Sequence, residues 1–307
     1  MHRLTSLLPH GVARRQDVTR ATSSSSVGRW LARGDLVLLH PGVVALPDRA
    51  ADWPVRAEAA CLWAGGPLSH LSALTATGLI APSSGPLHVT VSVKASPRGA
   101  KHVLAHRSDR RVTTIRCGRL EALEPCRSLV DAWAWSHVPR RNADARKETA
   151  VVRQVAIEGV RSGDFRWAAL RAESDRRPLH PGRQTLLRLL DLLAGGCESE
   201  LEIWGATRVL PGPPQLPRWV QQHPVRLGDG RWVRLDAAYP EARVAVELDG
   251  AAFHGSRTPR ERDLRRDSAL AALGWVVLRF SFERLMRDPE GCRREIVAVV
   301  RGRMMIR

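Results

Sequence analysis

A short segment near the C-terminus of this 307-residue chain places three carboxylates and an imidazole at close spacing. Asp236 precedes a turn at residues 239–241, and Glu247, Asp249 and His254 follow that turn. Glu247 and Asp249 are two residues apart, so on a strand their side chains point to the same face. Neighbouring carboxylates repel each other unless a metal ion, a proton or an arginine lies between them. The spacing is therefore typical of a site for a hard divalent cation.

This motif alone has a second interpretation, because a Glu and an Asp on an edge strand are often only a solvated face. The flanking segments favour a site. Upstream, Ser199 and Glu202 form a capping-box pattern that predicts the start of a helix. Downstream, residues 261–273 predict a helix and residues 275–280 a buried strand. The predicted order is helix, strand, strand, helix, strand, with the acids on the hairpin.

In this order the motifs resemble domain-of-unknown-function proteins related to very-short-patch-repair (Vsr) endonucleases, members of the PD-(D/E)XK nuclease superfamily. The resemblance covers residues 197–301 and rests on Ser199, Glu202, Asp236, Glu247-Leu248-Asp249-Gly250, His254, Arg266-Asp267 and Gly274-Trp275-x-Val277-Leu278-Arg279-Phe280. It implies a restriction-endonuclease-like core in which Asp236 and Glu247 bind Mg²⁺ or Mn²⁺ and Glu202 reaches the site from the first helix. The implied reaction is metal-assisted hydrolysis of phosphodiester bonds in double-stranded DNA.

The chain departs from the superfamily pattern at one position, since the pattern has Glu-x-Lys and this chain has Asp249 in place of the lysine. Asp249 would then be a further metal ligand or would position the attacking water. Candidates to replace the lysine are His254, Arg257 and Arg279. With an unperturbed pKa near ~6.5, His254 could act as general acid or base. It is equally well explained as a loop histidine bonded to a backbone carbonyl.

The charge of the chain indicates a polyanionic partner. Its 48 basic and 31 acidic residues give a net charge of +17, and residues 1–196 carry +13 of it, against +4 on the remainder. Such a chain attracts nucleic acid without sequence preference. Part of the arginine excess is also what codon bias in a GC-rich genome produces.

Cysteine usage and hydropathy predict a soluble, cytoplasmic protein with no membrane partner. The five cysteines are scattered and none lies in a CxxC arrangement, which predicts reduced core residues and neither a zinc site nor a disulfide framework. Apolar runs fall well short of the roughly 20 residues that a membrane-spanning helix needs. The N-terminus also lacks the apolar stretch of a signal peptide.

The first fifty residues predict a winged helix-turn-helix. Helices are predicted at residues 4–8, 13–21 and 25–33, followed by a two-stranded wing at residues 35–46. In this arrangement the third helix enters a major groove, where Ser24, Arg29 and Arg33 would contact phosphates or base edges. The alternative is a winged helix that contacts protein.

A second resemblance covers the same fifty residues. Gly11, Asp17-Val18, Gly34-Asp35-Leu36 and the run at residues 40–46 are similar to the N-terminal domain of AbiEi-type antitoxins. That family belongs to type IV toxin–antitoxin systems and represses its own operon. The resemblance implies an operator and a cognate toxin as partners. The aromatic residue usual after Pro-Gly-Val is replaced here by Val44.

The middle of the chain predicts packing rather than chemistry. Helices are predicted at residues 55–63, 69–78 and through 125–193, and a strand at 87–93 with partners at 103–106 and 112–115. Ser69, His70 and His88 could suggest a nucleophile and its base. A helix-capping serine and surface histidines explain them at least as well, because the sequence places no oxyanion hole and no third orienting acid.

Together these patterns predict an α+β multidomain protein with a C-terminal restriction-endonuclease-like α/β core. The predicted domains are a winged helix-turn-helix (1–50), a mixed α/β middle domain (51–138), a helical linker region (139–196) and a nuclease domain (197–307). Arg262, Arg266 and Arg279 are predicted to face DNA, although Arg262 and Arg266 could equally pair with acids at helical spacing.

Two functions stay open at this point. The first is a metal-dependent DNA endonuclease in phage defence or DNA repair, with catalytic Glu202, Asp236, Glu247, Asp249 and His254. The second is a non-catalytic winged-helix regulator or antitoxin whose nuclease fold has lost turnover. The missing lysine favours the second, and the retained acids favour the first.

Overall fold

The computed structural model describes residues 2–138, 145–214, 216–249 and 257–305. The chain is α+β, as predicted, and divides into two compact units. The first unit comprises Met1–Gly159 and Ala168–Leu186, and the second comprises Val160–Trp167 and Leu187–Arg307. Among the described helices, none combines the length and the apolar character that crossing a bilayer requires.

The first fifty residues form three helices and a small antiparallel sheet of order β1-β3-β2. The elements are α1 (His2–Leu7), β1 (Val12–Arg14), α2 (Arg15–Ala21), α3 (Ser24–Arg33), β2 (Val37–His40) and β3 (Val43–Ala45). Helix α3 begins after Ser23, whose hydroxyl accepts a hydrogen bond from the amide of Ser26, and ends at Gly34 in the left-handed region. The three helices and the sheet share one buried core, formed by Leu8, Val18, Val27, Leu36 and Val44.

The helix predicted at residues 13–21 begins later than expected. Its first two residues belong to β1, which pairs with β3 through Val12 opposite Ala45 and Arg14 opposite Val43. Sheet pairing and the burial of Val12 outweigh helix propensity here. The small sheet therefore has one strand more than the two that were predicted.

The rest of the first unit has a two-stranded parallel sheet, an antiparallel hairpin and helices. The elements are a 3-10 turn at Pro47–Arg49, α4 (Trp53–Ala64), α5 (His70–Ala76), β4 (Leu87–Ser92), β5 (Val103–Ser108), β6 (Thr114–Cys117), β7 (Leu120–Leu123), α6 (Pro125–Ser136), α7 (Ala145–Ser162) and α8 (Trp167–Asp175). The end of α7 and the first residue of α8 belong to the second unit. Strand β5 pairs with β4, as expected for residues 103–106, and the two strands are parallel. The expectation for residues 112–115 was wrong, because β6 turns back at Gly118 (φ 61°) and pairs with β7.

The loop before α5 crosses closely over β4. Pro67 accepts a hydrogen bond from the amide of Thr90 at 2.9 Å, and the amide of Ser69 donates to the carbonyl of His88 at 2.9 Å. A side chain at Gly66 would clash, since an added Cβ would lie 2.1 Å from the Thr90 carbonyl oxygen. These contacts fix the start of α5 against the middle of β4.

The second unit has a four-stranded sheet of order β11-β10-β9-β8. Strand β9 pairs antiparallel with both β8 and β10, while β10 and β11 are parallel. The elements are α9 (Arg183–Ala194), α10 (Glu200–Arg208), β8 (Val220–Arg226), β9 (Trp232–Tyr239), β10 (Val244–Asp249), α11 (Arg257–Ala272), β11 (Val276–Ser281), α12 (Phe282–Arg287) and α13 (Pro289–Met305).

The predicted hairpin and its turn are confirmed, but the predicted order lacked one strand. Between β9 and β10 the amides of Ala242 and Arg243 donate to the carbonyls of Tyr239 and Pro240. Strand β8 was missed because its sequence, VQQHPVR, is polar and contains Pro224. Proline is tolerated there because β8 is the edge of the sheet.

The two faces of this sheet pack against different helices. Val244, Val246 and Leu248 of β10 belong to the core that includes α10 and α13. Ala245 belongs to a separate core that includes Leu270 of α11. Neighbouring side chains of a strand point to opposite faces, so Glu247, which precedes Leu248, points to the α11 face.

Candidate functional site

Charged side chains form a row across three strands of the second unit. Val246 of β10 pairs with Ala237 of β9, so the next position along the ladder brings Glu247 level with Asp236. On its other side, Glu247 is paired in register with Arg279 of β11. Side chains level with each other on adjacent strands share a face and interact. The two predicted ligands are therefore neighbours, with an arginine beside them.

A second arginine, Arg266 of α11, covers the buried Glu247. Its Nη1 donates to Glu247 Oε2 at 2.8 Å, and its Nη2 donates to Oε1 at 2.6 Å. Burial raises the pKa of Glu247, and Asp236 adds to the rise, while Arg266 and Arg279 oppose it. Two parallel bonds from a guanidinium are the strong form of a carboxylate–arginine pair. Arg266 is thus the principal countercharge of the site.

Arg279 and Asp236 complete the row. Arg279 lies 3.9 Å from Glu247 Oε2 through its Nε, and its Nη2 donates to Asp267 at 2.7 Å. Asp236 is half-buried, and its Oδ2 accepts a hydrogen bond from the amide of Leu248 at 3.1 Å. The Asp236 carboxylate is therefore fixed against the backbone of β10, next to Glu247.

Glu202 has a different environment. It forms the predicted capping box with Ser199, whose hydroxyl donates to Glu202 Oε1 at 2.8 Å and accepts from the Glu202 amide. Its Oε2 accepts from the amide of Glu198 and from Nε2 of Gln222, each at 3.0 Å. Both oxygens of Glu202 thus have partners within its own helix start and on β8.

The structure brings Asp236 and Glu247 together but does not add Glu202 to them. Among the described side chains, Glu202, Asp236 and Glu247 do not form a group of three with ligand atoms all within 4.8 Å. Helix α10 packs on the sheet face of Leu248, whereas Glu247 meets α11 on the other face. The role of Glu202 as a ligand remains a prediction.

The two central acids are compatible with a divalent cation. A carboxylate has about four lone-pair positions, and the bidentate bonds from Arg266 occupy only two of those on Glu247. The bond from the Leu248 amide to Asp236 Oδ2 holds the second carboxylate beside Glu247. Oxygen ligands of this type suit Mg²⁺ or Mn²⁺.

Several predicted residues cannot be placed in this geometry. His254 and Gly250 lie outside the described residues. Asp249 ends β10 and Arg262 lies in α11, and their proposed contacts remain predictions. The structure places the Arg266 guanidinium on Glu247, a contact that the sequence did not indicate, because helical spacing suggested Asp263 or Asp267 as its partner.

The first unit exposes the three residues predicted to contact DNA. Ser24, Arg29 and Arg33 are exposed on α3. Beside the start of α3 lies an open groove of about 820 Å³, whose lining includes Ser24 and three arginines: Arg14, Arg15 and Arg20. This surface is basic and accessible.

One interpretation of the middle region was wrong. Ser69 occupies the N-cap position of α5, but its side chain makes no capping bond and instead lies 2.9 Å from Nδ1 of His70. His88 is only 1 % exposed, so it is not a surface histidine. Sequence spacing could not reveal their third neighbour, His106, because strand pairing between β4 and β5 brings it close.

Comparison with known proteins supports a nuclease-like second unit. Residues 229–300 match the model of the restriction endonuclease-like family REase_MTES_1575. The uncharacterised proteins MT2308 and Rv2248 of two Mycobacterium tuberculosis strains are each 25 % identical to this chain over 162 residues, covering 52 % of this chain and 58 % of the relative. The chain thus spans less than two thirds of the length of these relatives. The crystal structure of the Rv2827c protein from Mycobacterium tuberculosis is 18 % identical, with a TM-score of 0.43, over 70 % of this chain and 83 % of that one.

Proposed function

We propose that this protein binds double-stranded DNA and hydrolyses its phosphodiester bonds with a divalent cation held by Asp236 and Glu247. The observation that carries the proposal is the pairing of these two acids on adjacent strands within the region that matches a restriction endonuclease-like family. The family match by itself indicates a nuclease-like second unit.

The described side chains divide the work of such a site. When bound, Mg²⁺ or Mn²⁺ would polarise the phosphate and lower the pKa of a coordinated water. Asp236 and Glu247 supply the negative charge that retains the cation. Arg266 and Arg279, which flank Glu247, supply positive charge that offsets the negative charge growing on the phosphate during hydrolysis. Asp249 would be a further metal ligand or would position the attacking water, and His254 would act as general acid or base.

We further propose that the first fifty residues act as a winged helix that brings the chain to DNA. Three helices, a three-stranded antiparallel sheet and an exposed α3 carrying Ser24, Arg29 and Arg33 support this role. Phosphate contacts from such arginines give affinity, and base contacts from the same helix give sequence preference. The resemblance of these fifty residues to the N-terminal domain of AbiEi-type antitoxins favours the same role, and the resemblance of residues 197–301 to Vsr-related proteins favours the nuclease.

Incubation of the full chain with supercoiled plasmid and with linear duplex DNA, with and without Mg²⁺ or Mn²⁺, tests the enzyme. We expect nicked or linear product only with metal. Asp236→Asn and Glu247→Gln should each reduce the cleavage rate at least about a hundredfold, equivalent to about 2.7 kcal/mol of transition-state stabilisation. Asp229→Asn is the matched control, because Asp229 lies in the β8–β9 turn and pairs with Arg231.

A second function, a non-catalytic DNA-binding regulator or antitoxin, is favoured by one specific observation. Both oxygens of Glu247 already accept hydrogen bonds from Arg266, so the site is electrostatically satisfied without a cation. This function predicts that duplex DNA is shifted in a gel but not cut at any metal concentration. It also predicts equal DNA affinity for the chain and for Glu247→Gln.

A further inference from the structure

Three histidines from separate elements of the first unit meet at one point. His70 begins α5, His88 lies on β4 and His106 lies on β5. One ring nitrogen of each lies within 4.8 Å of the other two, which makes them the one group of three metal-ligating side chains at this separation in the described chain. Nδ1 of His88 and Nε2 of His106 are 2.9 Å apart.

The backbone holds this histidine cluster (His70, His88 and His106) in place. The loop before α5 is bonded to β4, and the Ser72 hydroxyl accepts a hydrogen bond from the amide of His88 at 2.8 Å. His70 has φ 52°, a left-handed conformation that a residue with a side chain rarely adopts. Strained residues of this kind concentrate at functional sites.

Burial keeps all three imidazoles neutral at pH 7. It lowers the pKa of His88 to about 3 and that of His106 to about 4, and it lowers the pKa of His70 well below its usual value. The neighbouring His106 and His88, and then Arg177 and Arg127, lower the pKa of His70 further. A neutral imidazole is the form that binds a metal ion.

The cluster borders a cavity of about 750 Å³, whose wall includes His70 and His106. Two further groups on this wall, Nη1 of Arg110 and Nε1 of Trp135, are buried donors without a hydrogen-bond partner. Both atoms are closed off from the cavity space, and Arg110 already pairs with Glu173. The charge of the wall comes from four arginines, Arg107, Arg110, Arg127 and Arg177, against the two acids Asp109 and Asp131. Asp131 neutralises part of the wall by pairing with Arg127 and Arg177.

We propose that His70, His88 and His106 bind a transition-metal ion of the class that prefers imidazole, Zn²⁺ above all, with the remaining coordination position facing the cavity. Three protein ligands and one open position are the arrangement of zinc sites that bind an exogenous ligand. The surplus positive charge of the cavity wall selects an anion for that position.

The present ring positions are close to those that coordination needs. Two nitrogens each ~2.0–2.1 Å from a tetrahedral zinc ion are about 3.3 Å apart, near the separation between His88 and His106. His70 stacks on His106 with ring centroids 3.7 Å apart, so its ring must turn about the Cβ–Cγ bond, a torsion with a broad minimum. Ser69 Oγ, 2.9 Å from His70 Nδ1, leaves Nε2 of His70 as the ligand atom.

Cobalt titration of the metal-stripped full chain, without a histidine tag, tests this site. We expect one equivalent of Co²⁺ to bind with the intense visible absorption of four-coordinate cobalt, and Zn²⁺ to displace it. His106→Gln and His88→Gln should weaken binding at least about tenfold, and Ser69→Ala about 10–100-fold. Azide should shift the cobalt spectrum, because the fourth position is open to the cavity. An unchanged spectrum would overturn the open position.

His10→Gln, an exposed histidine of the same unit, is the matched control and should bind cobalt normally. Zn²⁺ should also raise the melting temperature of the unaltered chain, which is independent of any variant's folding. An absent cobalt band, an unchanged melting temperature or full binding by His106→Gln would each overturn the proposal. The double variant Asp236→Asn, Glu247→Gln should leave the cobalt absorption intact. Failure of the nuclease proposal can therefore be distinguished from failure of the histidine site.

Discussion

At the scale of single residues, Glu247 is where the two proposed functions diverge. Its carboxylate is buried beside Asp236, and a buried charge needs a partner. Arg266 meets that need now, and a divalent cation would meet it during catalysis. If Arg266 alone neutralises Glu247, the second unit can serve as a non-catalytic scaffold. If a metal ion also binds Glu247, the second unit can hydrolyse DNA.

The sequence predicted the acids of this site but not their partner. Asp236 and Glu247 follow from strand alternation and from the turn between β9 and β10. The choice of Arg266 depends on how α11 is rotated above the sheet, which is set by the packing of Leu270 and its neighbours rather than by spacing along the chain. The histidine cluster could not be predicted from the sequence for a similar reason, because the pairing of β4 with β5 brings His88 and His106 together.

In the metal-free protein, kept in EDTA, the histidine cluster should lower the free energy of unfolding at acid pH. The pKa of His106 is about 4 in the folded chain, against ~6.5 when unfolded. Between these values the unfolded state binds a proton that the folded state does not, so stability is fully present above pH ~6.5 and falls as the pH falls. His106 should therefore account for about 2 kcal/mol of the loss between pH 7 and pH 5.

Urea unfolding of the chain and of His106→Gln at pH 7 and pH 5, followed by a probe in the first unit, measures this loss. The variant should lose about 2 kcal/mol less than the unaltered chain over that interval. Exposed His10→Gln should follow the unaltered chain. Parallel curves for the chain and His106→Gln would show that the imidazole titrates normally when folded.

At the scale of elements, tertiary pairing decided where sequence periodicity was misleading. Strand β8 has too few apolar residues to be recognised, yet it completes the sheet at its edge and provides Gln222, which bonds to Glu202. Strand β1 lies within a predicted helix because β3 offers it a partner. The helices, in contrast, were largely predictable, because their caps at Ser23 and Ser199 are local signals.

Two glycines of the first unit should respond oppositely to the same substitution. Gly66→Ala would place a Cβ 2.1 Å from the Thr90 carbonyl oxygen, in the backbone of β4, so the loop must move. We expect a loss of about 1–3 kcal/mol in the free energy of unfolding. Gly28→Ala lies within α3 with no atom within 4 Å of the added Cβ and should gain about 0.5–1 kcal/mol.

Urea unfolding of both variants, followed by one probe in the first unit, shows whether each substitution raises or lowers the free energy of unfolding. The displaced loop carries Ser69 and His70, so Gly66→Ala should also weaken cobalt binding while Gly28→Ala leaves it unchanged. A stabilised Gly66→Ala would mean that the loop and β4 do not approach as closely as described.

At the scale of the whole molecule, most of the net charge and the proposed hydrolytic site lie on different parts of the chain. Residues 1–196 carry +13 of the +17 net charge, whereas the acids proposed to bind metal lie beyond residue 197. Non-specific affinity for DNA scales with the number of phosphates neutralised. Binding should therefore depend mainly on the first unit, and cleavage should depend on the second.

The salt dependence of DNA binding tests this division, and EDTA keeps the DNA intact during the measurement. Each phosphate contact contributes about 0.9 to the slope of log K against log salt concentration. Replacing Arg29 and Arg33 on α3 by Gln should therefore reduce the slope by about 1.8. Replacing Arg98 and Arg116 by Gln removes the same charge from exposed sites elsewhere in the unit and should leave the slope nearly unchanged. Equal reductions in both double variants would indicate that net charge, and not contacts from α3, sets the affinity, because diffuse attraction does not depend on which arginine is removed.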